Sequence, residues 1–516
     1  MKLIKNAAGR LVPDEINGNR AIPFKGIGKH RPEGNKYSPP IPTCIDYPDD
    51  NNKVVKSLKE ALKKCGLKDG MTISTHHHLR DGDLISNQIF TIASSMKVKD
   101  LVWLPSASFP CNDPVIEYLE DGTIDHIEGS MNGPLGRFVS EGKMKGMAVL
   151  RSHGGRVQAI QDGEVKIDIA VLAAPAADSF GNAKGTGGPS ATGVLGYAKA
   201  DYMYADKVIV VTDNLVDLPC FPMEIEGNYV DYVVVVDKIG IPEKIVSGTT
   251  QITKSPDRLL IAELTASFLE KSGLLRDGAT MQAGAGGTSL AIAVYAHEIL
   301  KKKGWKFRFG FGGSTKYMVQ MLEEGQMGYI LDAQAFDLDA VKSIEKNPNH
   351  IPYPVFNAYN YHSKGNLTTM MDIMILGATE IDTEFNGNVV THSDGLLLHG
   401  IGGWQNCLHA RNVIIPVPLF RDRIPVIVDK VTTLCGPGEL IDVIITERGI
   451  AINPRRKDLL AAVKGKGLPI VSIEELKTIA ERMCGKPEKA AFDDRVVAAI
   501  KWVDGTVIDA VRKVRS

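Results

Sequence analysis

The chain has 516 residues, 44% of them hydrophobic and 23% charged, a globular composition that is too long for one core and indicates two or three domains. With 60 basic and 61 acidic residues, it has no excess of positive charge that would point to nucleic acid or a membrane surface. The seven cysteines form no CxxC pair, and neither an apolar leader nor a run of about 20 apolar residues is present. We therefore expect a cytoplasmic protein without membrane segments or a disulfide framework.

Residues 1–52 are predicted to form an arm laid over a domain. They are rich in Pro, Gly, Asn and Asp and show no sustained hydrophobic period. Regular structure begins with VVKSLKEALKKCG, in which Val55, Leu58 and Leu62 would lie on one helical face and Gly66 would end the helix.

Short apolar runs then alternate with helical stretches up to about residue 250. The runs consist largely of Val, Ile and Leu without polar alternation, which is typical of strands covered on both faces in a mainly parallel sheet. They are LVWLP from Leu101, GMAVL from Gly146, DIAVLAAP from Asp168, KVIVVTD from Lys207 and VDYVVVVD from Val230. The pattern predicts an α/β domain.

The second half of the chain repeats the first. LKKCGLKDGMTIST from Leu62 returns as LEKSGLLRDGATMQAG from Leu269, and three later strands return in the same order at a nearly constant offset. We therefore predict a tandem duplication, with like-folded α/β domains at residues 53–250 and 251–516. The second domain would open with a helix that begins at Pro256 and turns Leu260, Leu264 and Phe268 inward.

Glycine-rich loops in the second half are candidates for a ligand site, because loops at the carboxyl edge of a parallel sheet usually hold the ligand. Their backbone N–H groups can bind a phosphate or a developing oxyanion. A tight structural turn is the alternative for either loop alone, but two such loops favour a shared pocket. The candidates are Gly284, Ala285, Gly286 and Gly287 in the first loop, and Gly400, Gly402, Gly403 and Asn406 in the second.

A basic set in the first half is the candidate for anion recognition. Three consecutive histidines on a strand alternate sides and cannot all face one metal, so we expect no metal site there. Arginine suits carboxylates through its planar fork, and histidine adds further donors; a plain structural role for the histidines is the alternative. The set comprises His76, His77, His78 and Arg80 in HHHLR, Arg137 in GPLGR, and His153 and Arg156 in RSHGGR.

Motifs of other enzyme classes are missing. The sequence has no GxSxG, no GxxxxGK[ST] and no HExxH, which removes the usual support for a serine hydrolase, a P-loop NTPase or a zinc protease. Glu384 in DTEFNGN and Glu447 in TERG stand beside glycine turns, where most carboxylates are caps or solvated.

The ordered motifs AGAGG, FGFGGST, LDAQAFDL, EIDTEFNGNVVTHSDG, GIGG and RIPVIVDKVTT, with HHHLRDGD and RSHGGR before them, resemble the α subunit of citrate lyase. The resemblance covers about residues 50 to 475. It implies a fold of the CoA-transferase type and an enzyme that moves an acyl-carrier thiol from an acetyl thioester to citrate. The implied partners are a lyase β subunit and an acyl carrier γ subunit bearing a phosphoribosyl-dephospho-CoA group. We expect a homo-oligomer with no permanently bound cofactor, whose thioester substrate is that of CoA or of the carrier.

Two differences from related sequences bear on mechanism. GIGGWQN departs after its glycines from the SGGHSD type of the family, so Trp404 and Gln405 imply substrate contacts that differ in detail from the family pattern. Related CoA-transferases carry a nucleophilic Glu after the first glycine loop of the second domain, whereas FGFGGSTKYM has no carboxylate there. The resemblance therefore implies transfer without a glutamyl-enzyme thioester.

The resulting hypothesis assigns each set of residues a role. Amides at Ala285–Gly286 and Gly402–Gly403 would stabilise the oxyanion, Gly284, Gly287, Gly400 and Asn406 would hold the carrier arm, and the basic set would bind citrate. The alternatives are a covalent transferase for small monocarboxylates with Glu384 as nucleophile, and a non-catalytic scaffold that binds CoA or a carrier protein. Citrate and citramalate both remain open as acceptors.

Overall fold

Two large sheets form the core of the computed structural model, which describes residues 2–30, 50–246, 251–284 and 286–515. A seven-stranded sheet belongs to the first half of the chain and an eight-stranded sheet to the second. Both halves alternate strands with helices, so the fold is of the α/β class. Within the described ranges, no helix is long and apolar enough to cross a membrane.

The N-terminal arm forms two small antiparallel hairpins. Their strands are β1 (Leu3–Lys5), β2 (Leu11–Pro13), β3 (Glu15–Ile16) and β4 (Asn19–Arg20). The side chain of Asn6 donates hydrogen bonds to the carbonyl oxygens of Val507 and Ile508, so the arm is attached to the C-terminal end of the chain.

The first half contains ten strands and six helices among the described residues. They are β5 (Val54–Val55), α1 (Leu58–Lys64), β6 (Thr72–Thr75), α2 (Ser86–Ser95), β7 (Leu101–Pro105), α3 (Val115–Glu120), β8 (Ile124–Ile127), α4 (Gly133–Ser140), β9 (Ala148–Leu150), α5 (His153–Gln161), β10 (Ile169–Ala173), β11 (Ala176–Ala177), β12 (Ala183–Lys184), α6 (Ala198–Tyr204), β13 (Lys207–Thr212) and β14 (Tyr232–Val235). The main sheet has the order β5-β14-β13-β10-β6-β7-β8, and every neighbouring pair is parallel.

The second half follows the same plan. Its elements are α7 (Pro256–Ser272), β15 (Thr280–Ala283), α8 (Gly287–Lys303), β16 (Phe309–Ser314), α9 (Lys316–Glu323), β17 (Ile330–Ala335), α10 (Leu338–Lys346), β18 (His350–Pro352), α11 (Val355–Tyr359), β19 (Ile373–Ile375), β20 (Glu380–Asp382), β21 (Gly387–Asn388), α12 (Trp404–Cys407), β22 (Val413–Pro416), β23 (Phe420–Arg421), β24 (Ile424–Pro425), β25 (Ile427–Val428), β26 (Val443–Thr446), β27 (Gly449–Ile452), α13 (Lys457–Val463), α14 (Ile473–Cys484), β28 (Phe492–Lys501) and β29 (Val507–Val514). The main sheet has the order β18-β17-β16-β15-β19-β22-β26-β27, with only the β26–β27 pair antiparallel.

The two sheets have matching topologies, which confirms the predicted tandem duplication of α/β folds. In the first half the consecutive neighbours are β14, β13, β10, β6, β7 and β8, and in the second they are β26, β22, β19, β15, β16 and β17. The strands that carry the repeated motifs, β6 and β15, therefore occupy equivalent central positions. The loops that follow them emerge at equivalent edges, as expected for a ligand site assembled from both halves.

The C-terminal hairpin connects the two halves. Strands β28 and β29 pair with each other, and β28 runs parallel to β9 of the first half. The last segment of the chain thus packs on β9, which precedes it by more than three hundred positions. Residues 247–250, where the sequence places the domain boundary, lie outside the described residues.

Two local predictions differ from the structure. Val55 lies in strand β5, paired with β14, rather than on the face of α1, because a β-branched pair adds readily to the edge of a parallel sheet and Ser57 caps the helix after it. Leu260 is 42% exposed, since the buried face of α7 is the one that carries Ile261, Phe268 and Leu269.

Candidate functional site

The basic residues of the first half and a glycine turn of the second half meet where the halves join. Among the hydrogen bonds that cross this junction, His153 N donates to Gly402 O (2.8 Å), Gly154 N to Asn406 Oδ1 (3.0 Å), and Gln334 Nε2 to His77 O (3.2 Å). His77 follows β6 and His153 opens α5, so both lie at element ends where side chains are free to face a cleft.

Three aromatic side chains form the centre of the site. The imidazole of His77 stacks on that of His153, with ring centroids 5.4 Å apart, and the ring of Tyr197 lies 4.4 Å from His77 and 4.7 Å from His153. The Tyr197 hydroxyl is 3.3 Å from His153 Nε2 and 3.2 Å from Gln334 Oε1. We call His77, His153, Tyr197 and Gln334 the histidine cluster.

Arg80 is the unpaired cation beside this cluster. Its guanidinium lies 5.3 Å from the ring centroid of Phe109 and 4.8 Å from that of Phe336, and its Nε is buried without a hydrogen-bond partner. No carboxylate lies within ion-pairing distance of it among the described residues. The φ angle of Arg80 is +50°, a left-handed conformation that is uncommon for residues with a side chain. A mostly enclosed cation without a protein anion is the signature of a site for a ligand anion.

His76 and Arg156 belong to a separate, fully buried network behind the cluster. Both terminal nitrogens of Arg156 donate to the carboxylate of Asp201, each at 2.7 Å, and His76 Nε2 lies 3.3 Å from the same carboxylate. Ser74 Oγ accepts from Arg156 at 2.6 Å. Because Asp201 already occupies the fork of Arg156, the geometry favours a supporting role for Arg156 and His76 over the direct anion contact expected from sequence.

Burial keeps the site histidines neutral. It lowers the pKa of His153 to about 3, with Arg156 adding to the effect, and lowers the pKa of His78 to about 3, with help from His76. Burial and the nearby His153 and Arg80 also hold the pKa of His77 well below its usual range. At neutral pH these rings therefore act as hydrogen-bonding groups rather than as cations.

The second glycine turn is fitted tightly against the first half. A Cβ atom on Gly400 would lie 1.8 Å from Ser130 Oγ, and Gly402 has a φ of +62° with His153 Nε2 3.8 Å from where its Cβ would be. The N–H groups of Gly402 and Gly403 have no acceptor among the described residues. Because the Gly402 carbonyl accepts from His153, planarity of the next peptide turns the N–H of Gly403 to the opposite side, away from α5.

A cavity lies beside this turn. Its volume is about 790 Å³, and its walls come from Arg137 of α4, Gly286 at the start of α8, and Ile401 and Trp404, which flank Gly402 and Gly403. We call it the inter-half cavity. Arg137 is exposed there without an ion pair among the described residues, so the structure separates it from the histidines with which it was grouped by sequence.

The remaining residues of the glycine loops have mixed environments. Gly286 is open, since a Cβ there would meet nothing within 4 Å, whereas Gly287 packs against the backbone of Gln251 and Thr253. A Cβ atom on Gly284 would lie 3.5 Å from Ser289 Oγ, and Ala285 lies outside the described residues.

Asn406 is 1% exposed, and both ends of its amide are used within the protein. Its Oδ1 accepts from Gly154 and its Nδ2 donates to the carbonyl of Tyr359. This arrangement favours a structural role for Asn406 over the predicted contact with the carrier arm.

The two residues that depart from the family pattern, Trp404 and Gln405, have different environments. Trp404 donates its indole N–H to the carbonyl of Gly377 at 2.7 Å and lines the inter-half cavity, while Gln405 is fully buried and donates to Cys435 O. Of the two, only Trp404 can contact a ligand in this cavity.

Neither Ser314 nor Glu384 lines the inter-half cavity, where the hydroxyl and carboxylate side chains are those of Thr379, Ser393 and Asp394. In FGFGGSTKYM, Ser314 is fully buried and donates to Asp332, and Glu384 lies exposed in the turn between β20 and β21. Within the described ranges, no group of three or more His, Cys, Asp or Glu side chains is placed to hold a metal ion.

Sequence reasoning missed Tyr197, Gln334 and Asp201. Gln334 falls in the motif LDAQAFDL, but its role depends on reaching His77 from the other half of the chain. Asp201 could have been suspected only from the need of a buried arginine for a counter-charge.

The sequence family described as "Citrate lyase, alpha subunit (CitF)" matches residues 51–514. The citrate lyase alpha chain of Klebsiella pneumoniae is 41% identical over 466 residues, covering 90% of this chain and 92% of that one. The corresponding chain of Escherichia coli K12 is 39% identical over 467 residues, covering 90% and 92%.

Solved structures agree with these matches. A structure from Streptococcus mutans, assigned as the α subunit of citrate lyase in complex with citrate, is 39% identical and superposes with a TM-score of 0.94 over 99% of this chain and all of that chain. The α subunit of a malonate decarboxylase from Acinetobacter baumannii shares the fold at 16% identity, with a TM-score of 0.61 over 85% of this chain and 93% of that one.

Proposed function

The chain belongs to the citrate lyase α-subunit family, and from this premise we propose that it transfers an acyl-carrier thiol from an acetyl thioester to citrate. The products would be a citryl thioester and acetate. Family membership implies an enzymatic role within a complex with other subunits. The lyase and acyl carrier subunits are the partners we propose, and the carrier-borne or free CoA thioester is the substrate.

The observation that carries the proposal is the position of Arg80. It is an enclosed cation, held in a strained conformation and unpaired with any described carboxylate, next to neutral histidines that can donate hydrogen bonds. This is the environment that a polycarboxylate requires. We assign the acceptor acid to Arg80, His77 and His153. His76, His78 and Arg156 would support this site from behind.

The thioester would occupy the inter-half cavity. The cavity combines apolar walls, including Trp404, with the free cation of Arg137 at its edge and the open N terminus of α8 at Gly286. An extended thiol arm that ends in phosphates has matching chemistry, since phosphates bind well to helix N termini and arginine. We therefore assign Arg137 to the thioester rather than to the acid, the role predicted from sequence.

The reaction needs no protein nucleophile. A citrate carboxylate oxygen would attack the acetyl carbonyl, breaking the C–S bond and releasing the carrier thiolate, which would then attack the citryl carbonyl of the mixed anhydride and release acetate. A thiolate leaves without protonation, since thiols have a pKa of about 8.5. The protein would supply proximity and a donor for each oxyanion, and we assign this role to the N–H groups of Gly402 and Gly403, which have no acceptor among the described residues.

A direct assay tests this function. Purified protein is incubated with acetyl-CoA as a carrier surrogate and with citrate, citramalate or no acceptor, and acetate and the new thioester are measured. We expect equal amounts of acetate and citryl-CoA, and no borohydride-reducible glutamyl thioester on the protein. A trapped glutamyl adduct would favour a covalent transferase. If no acetate is released with any acceptor, even with the other subunits present, only a binding role is left.

A further inference from the structure

The hydrogen bonds of the histidine cluster determine which nitrogen of His153 carries the proton. Gln334 is 4% exposed and its Nε2 lies 3.2 Å from His77 O. A carbonyl oxygen can only accept, so the amide must point its NH₂ at His77 and its Oε1 at Tyr197. The opposite orientation would place two acceptors against each other in a buried site.

The next step follows from the single hydroxyl proton of Tyr197. Burial raises the pKa of this phenol above its usual range, so it stays protonated. Oε1 of Gln334, 3.2 Å away, accepts only, and the hydroxyl therefore donates to it. Toward His153 Nε2, at 3.3 Å, the phenol oxygen is left as an acceptor, which requires a proton on Nε2.

The other ring nitrogen of His153, Nδ1, then carries no proton. His153 is neutral at physiological pH, so protonation of Nε2 leaves Nδ1 as an acceptor. Nδ1 has no hydrogen-bond partner among the described residues, and it is not one of the enclosed, unpartnered atoms of the structure. It is therefore not fully enclosed, and its ring stacks on the His77 ring that Arg80 also approaches.

Resting on the proposed function, we infer that Gln334 and Tyr197 are positioning residues that hold His153 in the Nε2-protonated form, so that its Nδ1 accepts a hydrogen bond from the hydroxyl of a hydroxy-polycarboxylate. Arg80 binds the carboxylates but cannot distinguish an acid with a hydroxyl from one without it. A bare imidazole nitrogen can, because only the hydroxy acid offers it a donor. The site would thus select hydroxy acids such as citrate over tricarballylate, which has three carboxylates and no hydroxyl.

Equilibrium binding of the two acids tests the specificity. Calorimetry on the full chain should show wild-type protein binding citrate about tenfold more tightly than tricarballylate, the upper range for one neutral hydrogen bond. Tyr197→Phe and Gln334→Leu should reduce this ratio to about twofold, mainly by weakening citrate. Tyr202→Phe is the matched control, because this tyrosine lies in α6 close to Tyr197 but packs on Tyr229, and it should keep the wild-type ratio.

The proton position is tested separately by ¹⁵N spectroscopy of histidine-labelled protein, with His153 assigned by the signals lost in His153→Asn. We expect Nε2 protonated and Nδ1 not, with Nδ1 shifting on addition of citrate but not of tricarballylate. A proton on Nδ1 in the wild type would overturn the inference, even if a variant failed to fold, as would an unchanged binding ratio in folded Tyr197→Phe. If the ratio responds as expected but no acetate is released in the assay above, the transferase proposal fails and hydroxy-acid recognition remains.

Discussion

Arg80 shows how environment, rather than residue type, separates the arginines of this chain. Arg156 is paired at both ends with Asp201, Arg137 is exposed in the inter-half cavity, and Arg80 lies between two aromatic rings with no carboxylate partner among the described residues. From sequence, all three arginines were assigned to the same set for anion recognition. Only the unpaired, enclosed one is placed to gain a large binding energy from a carboxylate ligand.

Substitution of Arg80 and Arg137 should therefore affect different substrates. Arg80→Ala removes charge-assisted hydrogen bonds to the acid and should raise KM for citrate about ten- to hundredfold, with KM for acetyl-CoA nearly unchanged. Arg137→Ala should do the reverse, with a smaller effect because the side chain is exposed. Steady-state kinetics with each substrate varied in turn measures both. Equal effects of both variants on both substrates would contradict the assignment of the acid and the thioester to separate sites.

Buried neutral histidines also make stability depend on pH. Burial lowers the pKa of His78 and His153 to about 3 and that of His409 to about 4. Between pH 6.5 and these values the unfolded chain binds protons that the folded chain does not, so stability falls as the pH falls and is recovered above pH 6.5. Each group adds a slope of up to about 1.4 kcal/mol per pH unit. His409→Gln should flatten the acid side of a urea-midpoint profile, while His392→Gln, at an exposed site, should leave its slope unchanged.

At the scale of elements, helix α5 of the first half is held at its N terminus by the second half. Its first two residues donate backbone hydrogen bonds to Gly402 and Asn406, and its Gly154 approaches Tyr359 O so closely that a Cβ would lie 2.1 Å away. Asn406 thus satisfies a helix N terminus from outside the helix. Because His153 is the first residue of α5, the same contacts position the imidazole.

Asn406→Ala should destabilise the protein by about 2–4 kcal/mol, because it leaves a buried N–H of Gly154 and a buried carbonyl of Tyr359 unpaired. Denaturant unfolding measures the change, and transferase activity should fall with it as α5 and His153 lose their anchor. Asn228→Ala, at an exposed asparagine, serves as control and should stay within about 0.5 kcal/mol of wild type. A fully stable Asn406→Ala would show that the cap is not needed to hold α5.

The elements that sequence predicted best are those defined by local pattern. The turn at Asp69–Gly70 recurs at Asp277–Gly278, and each is followed by the central strand of its sheet, because hydrophobic period and turn residues act over a few positions. Errors arose where tertiary contacts outweigh such patterns. Val55 lies in the edge strand β5 rather than on α1, and the buried face of α7 includes Ile261 instead of the predicted Leu260.

At the scale of the whole molecule, the site could be predicted only in outline. Sequence grouped the basic residues in one half and the glycine turns in the other, and the structure brings His153 against Gly402. The sequence could not assign roles to Tyr197, Gln334 or Asp201. Their roles come from contacts with residues that lie 44 to 257 positions away along the chain. The separation of Arg137 in the inter-half cavity from the histidine cluster likewise depends on how the halves pack, which no local pattern encodes.

The C-terminal hairpin should control the stability of the whole chain, because it joins the N-terminal arm, the first half and the end of the second. Trp502 is 1% exposed, packs edge-on against Phe24 of the arm at 5.6 Å, and leaves its indole N–H buried without a partner. Trp502→Ala should therefore lower the unfolding free energy by about 3–5 kcal/mol and make the arm sensitive to protease.

Trp502→Phe separates packing from polarity at the same position. It keeps most of the ring while removing the unpartnered N–H, so it should cost much less than Trp502→Ala, since the loss of volume is offset by removal of a buried unsatisfied donor. Phe221→Ala, at a ring that is 70% exposed, should be nearly neutral and controls for loss of an aromatic side chain as such. Urea unfolding with limited proteolysis measures all three. If Trp502→Ala unfolds at the wild-type midpoint, the hairpin does not control stability, and the other contacts between the halves, such as those of His153 with Gly402 and of Gln334 with His77, are sufficient to hold them together.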